Sequence, residues 1–131
     1  MFWYNHLYTS KTATKKRFSI IQKIRSGSIP AKAYVIVPAS NRQNLLDIWE
    51  ASQACTPEAE ERRKQAGEEL LILGIAWGYE EALELAGHMV NEVYQATGNF
   101  DIRSYFGVKE YETNMPGVME SSINDNSGVM E

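Results

Sequence analysis

One stretch of the chain carries the side chains best suited to metal or acid–base chemistry. Glu80, Glu84, His88 and Glu92 follow one another at intervals of four residues. On a helix that spacing places carboxylates and an imidazole on one face, where they can share a divalent cation. The same residues fall opposite the apolar positions of the stretch, in water and without a second helix to add ligands, whereas metal catalysis needs a shaped, dry cavity. The pattern therefore predicts a solvated acidic face that holds no metal and no other cofactor.

Other catalytic arrangements have no support in the sequence. The chain has two histidines and a single cysteine, Cys55, and it contains neither a nucleophile elbow nor a glycine-rich phosphate loop. The isolated glycine of the RSGS segment, Gly27, follows a helical pattern and is typical of a helix end. We therefore expect a protein that is not an enzyme.

The distribution of charge is the strongest signal in the sequence. Residues 1–46 contain eight basic side chains and no acidic one, whereas residues 47–131 contain all seventeen acidic side chains and five basic ones. The two parts therefore carry +8 and −12. Because exposed ion pairs contribute less than about 1 kcal/mol each, internal pairing is a weak reason for such a segregation. The split favours a partner of opposite charge.

Two alternative binding surfaces follow from this segregation. The acidic surface is expected to dock on a basic protein partner and consists of Glu80, Glu84, Glu92, Glu110 and Glu112. The basic surface combines cations with aromatic rings, as in proteins that bind single-stranded nucleic acid, and consists of Lys11, Lys15, Lys16, Arg17, Trp3 and Tyr4. A protein partner is the first interpretation, because the −12 remainder repels phosphate, and nucleic acid is the alternative.

Size and composition place the chain among ordinary globular proteins. Its 131 residues are 44% hydrophobic and 23% charged, which suits one domain over residues 1–106 followed by an acidic, polar tail over residues 107–131. A single cysteine excludes an internal disulfide, and no apolar run approaches the roughly 18 residues that span a bilayer. We expect a cytoplasmic protein without a membrane partner; the oligomeric state stays open.

The periodicity of apolar residues predicts an α+β fold. Strand-like segments are Phe2–Tyr8, Ala33–Val37, Leu45–Trp49 and Leu70–Trp77. Helical patterns begin at Thr12, with an end at Gly27, and at Tyr79, with an end at Gly98. We expect an antiparallel sheet of three or four strands with both helices on one face, in the order (β)αβββα. The polar segment Thr56–Gly67 is expected to be a solvated helical turn or an insertion loop.

Eleven residues are predicted to form one core between the sheet and the two helices. They are Phe18, Ile21, Val35, Val37, Ile48, Leu71, Leu73, Leu83, Ala86, Val90 and Val93. The helical members come from two stripes, in which apolar residues recur every three or four positions.

Two segments resemble a known group of proteins. Ala33–Gln53 (AYVIVPASNRQNLLDIWEASQ) and Leu70–Phe106 (LLILGIAWGYEEALELAGHMVNEVYQATGNFDIRSYF) are similar to small uncharacterised proteins of anaerobic Firmicutes. In these a strand ending in GIA precedes a YEEALEL-type helix and a D-[IV]-R-[ST]-Y ending. The resemblance covers about half of the chain. It implies a compact α+β unit carried on mobile elements, for which an inhibitor of a host defence nuclease, such as an anti-CRISPR protein, is a concrete form of the protein-binding interpretation.

Overall fold

The elements of the chain confirm the predicted α+β class. A computed structural model describes residues 1–39 and 45–106, together with the backbone of residues 111–113. In chain order its elements are β1 (Phe2–Thr9), α1 (Lys11–Lys15), α2 (Arg17–Ser26), β2 (Ala33–Pro38), β3 (Leu46–Glu50), α3 (Ala51–Ala54), α4 (Pro57–Ala66), β4 (Leu71–Trp77), α5 (Tyr79–Thr97), α6 (Ile102–Tyr105) and β5 (Tyr111–Thr113).

The strands form one mixed sheet in the order β3-β2-β4-β1-β5. β2 runs antiparallel to β3 and β4, whereas β1 runs parallel to β4 and antiparallel to β5. The predicted antiparallel sheet is therefore wrong. β1 lies on the side of β4 opposite β2 and supplies its parallel neighbour. A parallel pair needs a long connection, and the chain between β1 and β4, residues 10–70, is long enough to return to the same end of the sheet.

Helices cover both faces of the sheet, which corrects the prediction that they share one face. Side chains of α1, α2 and α3 pack with Val35 and Ile72 in one hydrophobic cluster. Side chains of α5 and α6 pack with Ile36 and Leu73 in a second cluster on the opposite face. Because successive strand residues point to opposite faces, the continuous apolar runs of β2 and β4 require cover on both.

The predicted helix ends are confirmed. Gly27 ends α2 and Gly98 ends α5, each in the left-handed conformation, with φ of 89° and 77°. The helical pattern that begins near Thr12 is interrupted at Lys16, where φ is −111° and ψ is 17°. Two short helices, α1 and α2, therefore replace the single predicted one.

Most of the predicted core is confirmed by burial. The buried members are Ile21, Val35 and Val37 in the cluster beneath α1 and α2, and Leu71, Leu73 and Val93 in the cluster beneath α5, against which the half-buried Ile48, Ala86 and Val90 pack. The prediction of one core is therefore wrong, because the sheet separates two clusters. The prediction that Phe18 is buried is wrong, because 81% of its surface is exposed. A spacing of three residues falls about 60° short of a full helical turn, so Phe18 lies about 120° from Ile24, which is buried.

The second wrong core residue is Leu83, which is 49% exposed. Apolar residues cover roughly half of the circumference of α5, at about 100° per residue. The part of this arc that faces the sheet consists of Ala82, Leu85, Met89 and Val93, all buried. The predicted stripe of Tyr79, Leu83, Ala86 and Val90 lies along one side of the arc, and only Val93 of that prediction is fully buried.

The backbones of β1 and β4 approach closely at Gly74. A Cβ atom on this glycine would lie 3.3 Å from the Cβ and the carbonyl oxygen of Tyr8, and 3.4 Å from Cδ2 of Leu85. The register between β1 and β4 shifts in the same region, between Trp3 and Tyr8. Position 74 therefore favours glycine, because β1 and α5 leave little room for a side chain there.

The remaining predictions concern the polar segments. Thr56–Gly67 is mostly the helix α4, whose first turn is capped by the Thr56 hydroxyl, and Ala59 is its buried residue. Within the predicted tail, Tyr111–Thr113 form β5, and the rest of residues 107–131 lies outside the described residues, as does the turn of residues 40–44. Among the helices of the described part, none is long and apolar enough to cross a membrane.

Candidate functional site

The first carboxylate of interest on α5, Glu81, is occupied by contacts within the fold. Its two carboxylate oxygens accept hydrogen bonds from the Ser10 hydroxyl at 2.6 Å, the Thr12 hydroxyl at 2.5 Å and the Thr12 backbone N–H at 3.0 Å. The bonds from Ser10 and Thr12 lower the pKa of Glu81, because they stabilise its charged form. Glu81 thus joins the first turn of α5 to the first turn of α1.

Glu92, a member of the predicted acidic surface, is also engaged within the fold. One of its oxygens accepts hydrogen bonds from the Tyr8 hydroxyl at 2.5 Å and from the Tyr105 hydroxyl at 3.2 Å. Burial raises the pKa of Tyr8, and the adjacent carboxylate raises it further. Glu92 therefore joins α5 to β1 and α6 and is not available as an open carboxylate.

The other predicted acidic residues do not form one face. Glu80 and Glu84 are exposed on the outer side of α5. Glu112 lies in β5, opposite Trp3 in the strand register, at the far end of the sheet from β3. Glu110 lies outside the described residues. Among the members whose side chains are described, Glu80, Glu84 and Glu92, the structure leaves Glu80 and Glu84 together as exposed carboxylates.

Exposed apolar side chains accompany these two carboxylates. Tyr79 is 53% exposed and Leu83 is 49% exposed, and both lie on the side of α5 turned away from Glu81. The ring of Tyr79 lies 5.8 Å from that of Tyr34 on β2, which fixes this side of the helix over β2 and β3. We call the set Tyr79, Glu80, Leu83 and Glu84 the exposed α5 surface.

The predicted basic surface is divided by the sheet. Lys11, Lys15 and Lys16 are exposed on α1 and just after it, and the Lys16 ammonium lies 4.3 Å from the ring centre of Trp77. Lys15 forms no ion pair with a described carboxylate. Arg17 is half-buried. The three lysines of the predicted basic surface are therefore exposed, whereas its arginine is only partly so.

The aromatic members of the basic surface do not join the lysines. Trp3 is 2% exposed within the cluster beneath α1 and α2, so its ring has no face open to a base. Tyr4, the next residue, points to the other side of the sheet and packs edge-on against Phe106 at 5.5 Å. Alternation along β1 separates the two rings. No stacking platform is formed by these residues.

A groove lies beside β3, between this strand, α4 and Arg103 of α6. Its volume is about 1090 Å³, and its lining includes Asp47, Trp49, Gln53, Arg62, Leu70 and Arg103. Trp49 is 47% exposed there. We call this the α4 groove. Trp49 is predicted in a strand, but the groove is not predicted. The alternation of Leu46 and Ile48 with Asp47 and Trp49 is the sequence signal for a second, open face.

The described residues contain no cluster of side chains that could bind a metal ion. Among them, no group of three histidine, cysteine, aspartate or glutamate side chains is arranged to hold an ion. Cys55 is a buried thiol, and burial raises its pKa to about 12.

No protein-family model, no curated protein and no solved structure matches this chain. The class that the fold defines is an α+β protein built on a mixed sheet with helices on both faces.

Proposed function

We propose that this protein is a non-enzymatic binding module whose exposed α5 surface docks on the basic surface of a partner protein. The observation that carries the proposal is the combination of half-exposed Tyr79 and Leu83 with exposed Glu80 and Glu84 on one side of α5. Aromatic rings supply contact area at interfaces, and carboxylates steer a cationic partner into place.

The titratable groups support binding over catalysis. The carboxylates with lowered pKa, Glu60 and Glu81, are each held by hydrogen bonds that join elements of the fold. The buried Cys55 is protonated at neutral pH because of its raised pKa. Tyr8 and Tyr105, whose pKa values are raised, likewise join β1 and α6 to α5 through Glu92. We infer that these perturbed groups hold the fold together and do not serve catalysis.

The more specific form of the proposal is an inhibitor of a host defence nuclease, acting in the cytoplasm. Two carboxylates one helical turn apart present negative charge to a surface that otherwise contacts phosphates. The resemblance to proteins of mobile elements also favours an inhibitor of a host defence nuclease. An anti-CRISPR-like inhibitor would occlude the functional surface of the nuclease with this side of α5.

The test is capture of partner proteins from a lysate of the source organism, treated with nuclease and identified by mass spectrometry. The variant Glu80→Lys/Glu84→Lys should weaken capture at least about tenfold, since it places cations against a cationic partner. Its melting temperature should stay nearly unchanged, because exposed charges add little stability. Glu92 is left intact, since reversing it would break the hydrogen bonds from Tyr8 and Tyr105.

The matched control is Lys15→Glu/Lys16→Glu, which changes the net charge by the same amount in the opposite sense on α1. It should capture the same proteins as the unmodified chain. If the α5 variant also captures them normally, the exposed α5 surface is not the binding surface and the proposal fails.

Nucleic-acid binding is the second candidate, because Lys11, Lys15 and Lys16 are exposed near one another in sequence. Buried Trp3 argues against a strong single-strand site. We expect weak, salt-sensitive binding of a labelled oligonucleotide that falls further when Lys15, Lys16 and Arg17 become alanine. A dissociation constant below about 1 μM at physiological salt would make nucleic acid the first function.

A further inference from the structure

The outer edge of β3 is open in the described part of the chain. β3 lies at one end of the sheet and pairs with β2 from Leu46 to Glu50, and no described residue pairs with its other edge. An edge strand presents backbone N–H and C=O groups that another extended chain can pair with. The end strand on the other side, β5, pairs with β1.

Both faces beside this edge offer places for side chains. On one face, α5 contacts β3, Ile48 of β3 packs against the cluster beneath α5, and Tyr79 and Leu83 of this helix are half-exposed. On the other face, Trp49 is half-exposed beside the α4 groove. A strand added to β3 directs alternate side chains to these two faces, which is the arrangement of domains that bind peptides by strand addition.

Charge differs between the two ends of the edge. Glu50 pairs with Tyr34, whose ring contacts Tyr79, so Glu50 lies at the same end as Glu80. At the other end Asp47 lies in the α4 groove, whose lining balances three carboxylates with three cations: Asp47, Glu68 and Glu69 with Arg62, Arg63 and Arg103. The Glu50 end is thus the acidic end, and it favours a lysine or arginine on an incoming strand.

From these observations we infer that β3 accepts an extended strand of a partner protein by pairing along its open edge. The incoming strand places apolar side chains alternately against Leu83 and Trp49 and a cationic side chain against Glu50. This inference rests on the proposed function and deepens it, because it states how the partner of the exposed α5 surface is held.

A second copy of this chain fits the edge less well. Each copy has a net charge of −4, so two copies repel one another as they approach. A cationic extended segment is therefore the occupant that charge complementarity selects.

The probe for this inference is a fluorescein-labelled octapeptide, Lys-Val-Val-Thr-Thr-Val-Val-Lys, which carries valines on both faces of a strand. It is titrated with the full chain by fluorescence anisotropy. Matched peptides carry glutamate at both ends, or N-methyl groups on every second residue in either of the two phases. We expect the lysine peptide to bind at least about tenfold more tightly than the glutamate peptide. N-methylation should abolish binding in one phase only, since alternate N–H groups of an added strand point to its neighbour.

Protein variants locate the contact. Glu50→Lys should weaken binding of the lysine peptide by about tenfold and strengthen binding of the glutamate peptide. Trp49→Ala should weaken both peptides. Glu58→Lys, an exposed change of the same charge in the first turn of α4 and outside the lining of the α4 groove, should leave binding unchanged. Circular dichroism of each variant shows that the fold is retained.

Several outcomes would overturn the inference. One is equal binding of all four peptides, and another is no binding of the lysine peptide at millimolar concentration. A dimer in sedimentation that Glu50→Lys stabilises would assign the edge to a second copy. The proposed function has its own readout: if Glu80→Lys/Glu84→Lys loses its captured partner while N-methylation has no effect in either phase, the exposed α5 surface stands and strand addition falls.

Discussion

Two leucines near the middle of α5 provide a matched test of how this helix is oriented. Leu85 is 8% exposed in the cluster beneath the helix, whereas Leu83, two residues earlier, is 49% exposed. Replacing either one by alanine makes the same chemical change at neighbouring helical positions. Alanine and leucine have similar, high helix propensities, so the local helical term nearly cancels between the two variants.

The expected magnitudes differ because only one substitution leaves a cavity. Leu85→Ala removes side-chain atoms that pack against Gly74 and should cost about 2–5 kcal/mol of unfolding free energy. Leu83→Ala removes atoms largely in water and should change stability by about 0.5 kcal/mol or less. A loss of about 3 kcal/mol with a urea slope near 2 kcal/mol/M shifts the unfolding midpoint by about 1.5 M.

Urea unfolding of the two variants, followed by tryptophan fluorescence and by far-ultraviolet circular dichroism, measures this difference. Coincident transitions from the two probes support a two-state treatment. Equal losses in the two variants would refute the orientation of α5. A large loss for Leu83→Ala with little loss for Leu85→Ala would restore the stripe expected from sequence and would remove Leu83 from the exposed α5 surface.

Four further predictions concern single groups. Gly74→Ala should cost about 1–3 kcal/mol of stability in the same urea assay, because the added methyl group meets the backbone of β1; an unchanged midpoint would mean that β1 moves aside. The Cys55 thiol should react with a disulfide reagent at pH 8 only after unfolding, given its pKa of about 12, and fast labelling of the native chain would contradict its burial. Because hydrogen bonds from Ser10 and Thr12 lower the pKa of Glu81, its contribution to stability is full above the ordinary glutamate pKa of about 4.3 and is lost as pH falls through the lowered value. The stability difference between the unmodified chain and Glu81→Gln should therefore shrink from pH 7 to pH 3, and a constant difference would show that the charge is not the cause. Calorimetry with zinc and manganese should detect no micromolar binding; a site abolished by His88→Ala would contradict this.

Local elements of this fold could be predicted because their signals are local. Glycines at the helix ends and the β-rich runs Ala33–Val37 and Leu70–Trp77 depend on neighbouring residues alone. The pairing of β1 with β4 joins residues about 70 positions apart, and no local pattern specifies it. For the same reason the sequence does not reveal that β1 runs parallel to β4.

The prediction of the candidate site is wrong for a more specific reason, the orientation of α5. The apolar arc of α5 is wider than the surface that the sheet covers, so hydrophobicity alone does not tell which side of the arc is buried. The hydrogen bonds of Glu81 with Ser10 and of Glu92 with Tyr8 determine which side of the arc faces the sheet. Both are polar contacts to β1 and its following turn, and they became visible only with the tertiary structure. For this reason the sequence pattern wrongly predicts Glu92 in solvent and Leu83 in the core.

The place of β1 inside the sheet has a consequence for synthesis of the chain. Phe2–Thr9 leaves the ribosome before its neighbour β4, which ends about 70 residues later at Trp77. At roughly 5–20 residues per second, this aromatic segment waits about 4–14 s without either strand partner. During that interval its rings and backbone groups are open to other nascent chains and to chaperones. Production of the protein should therefore depend on translation speed and chaperone supply more strongly than its small size suggests.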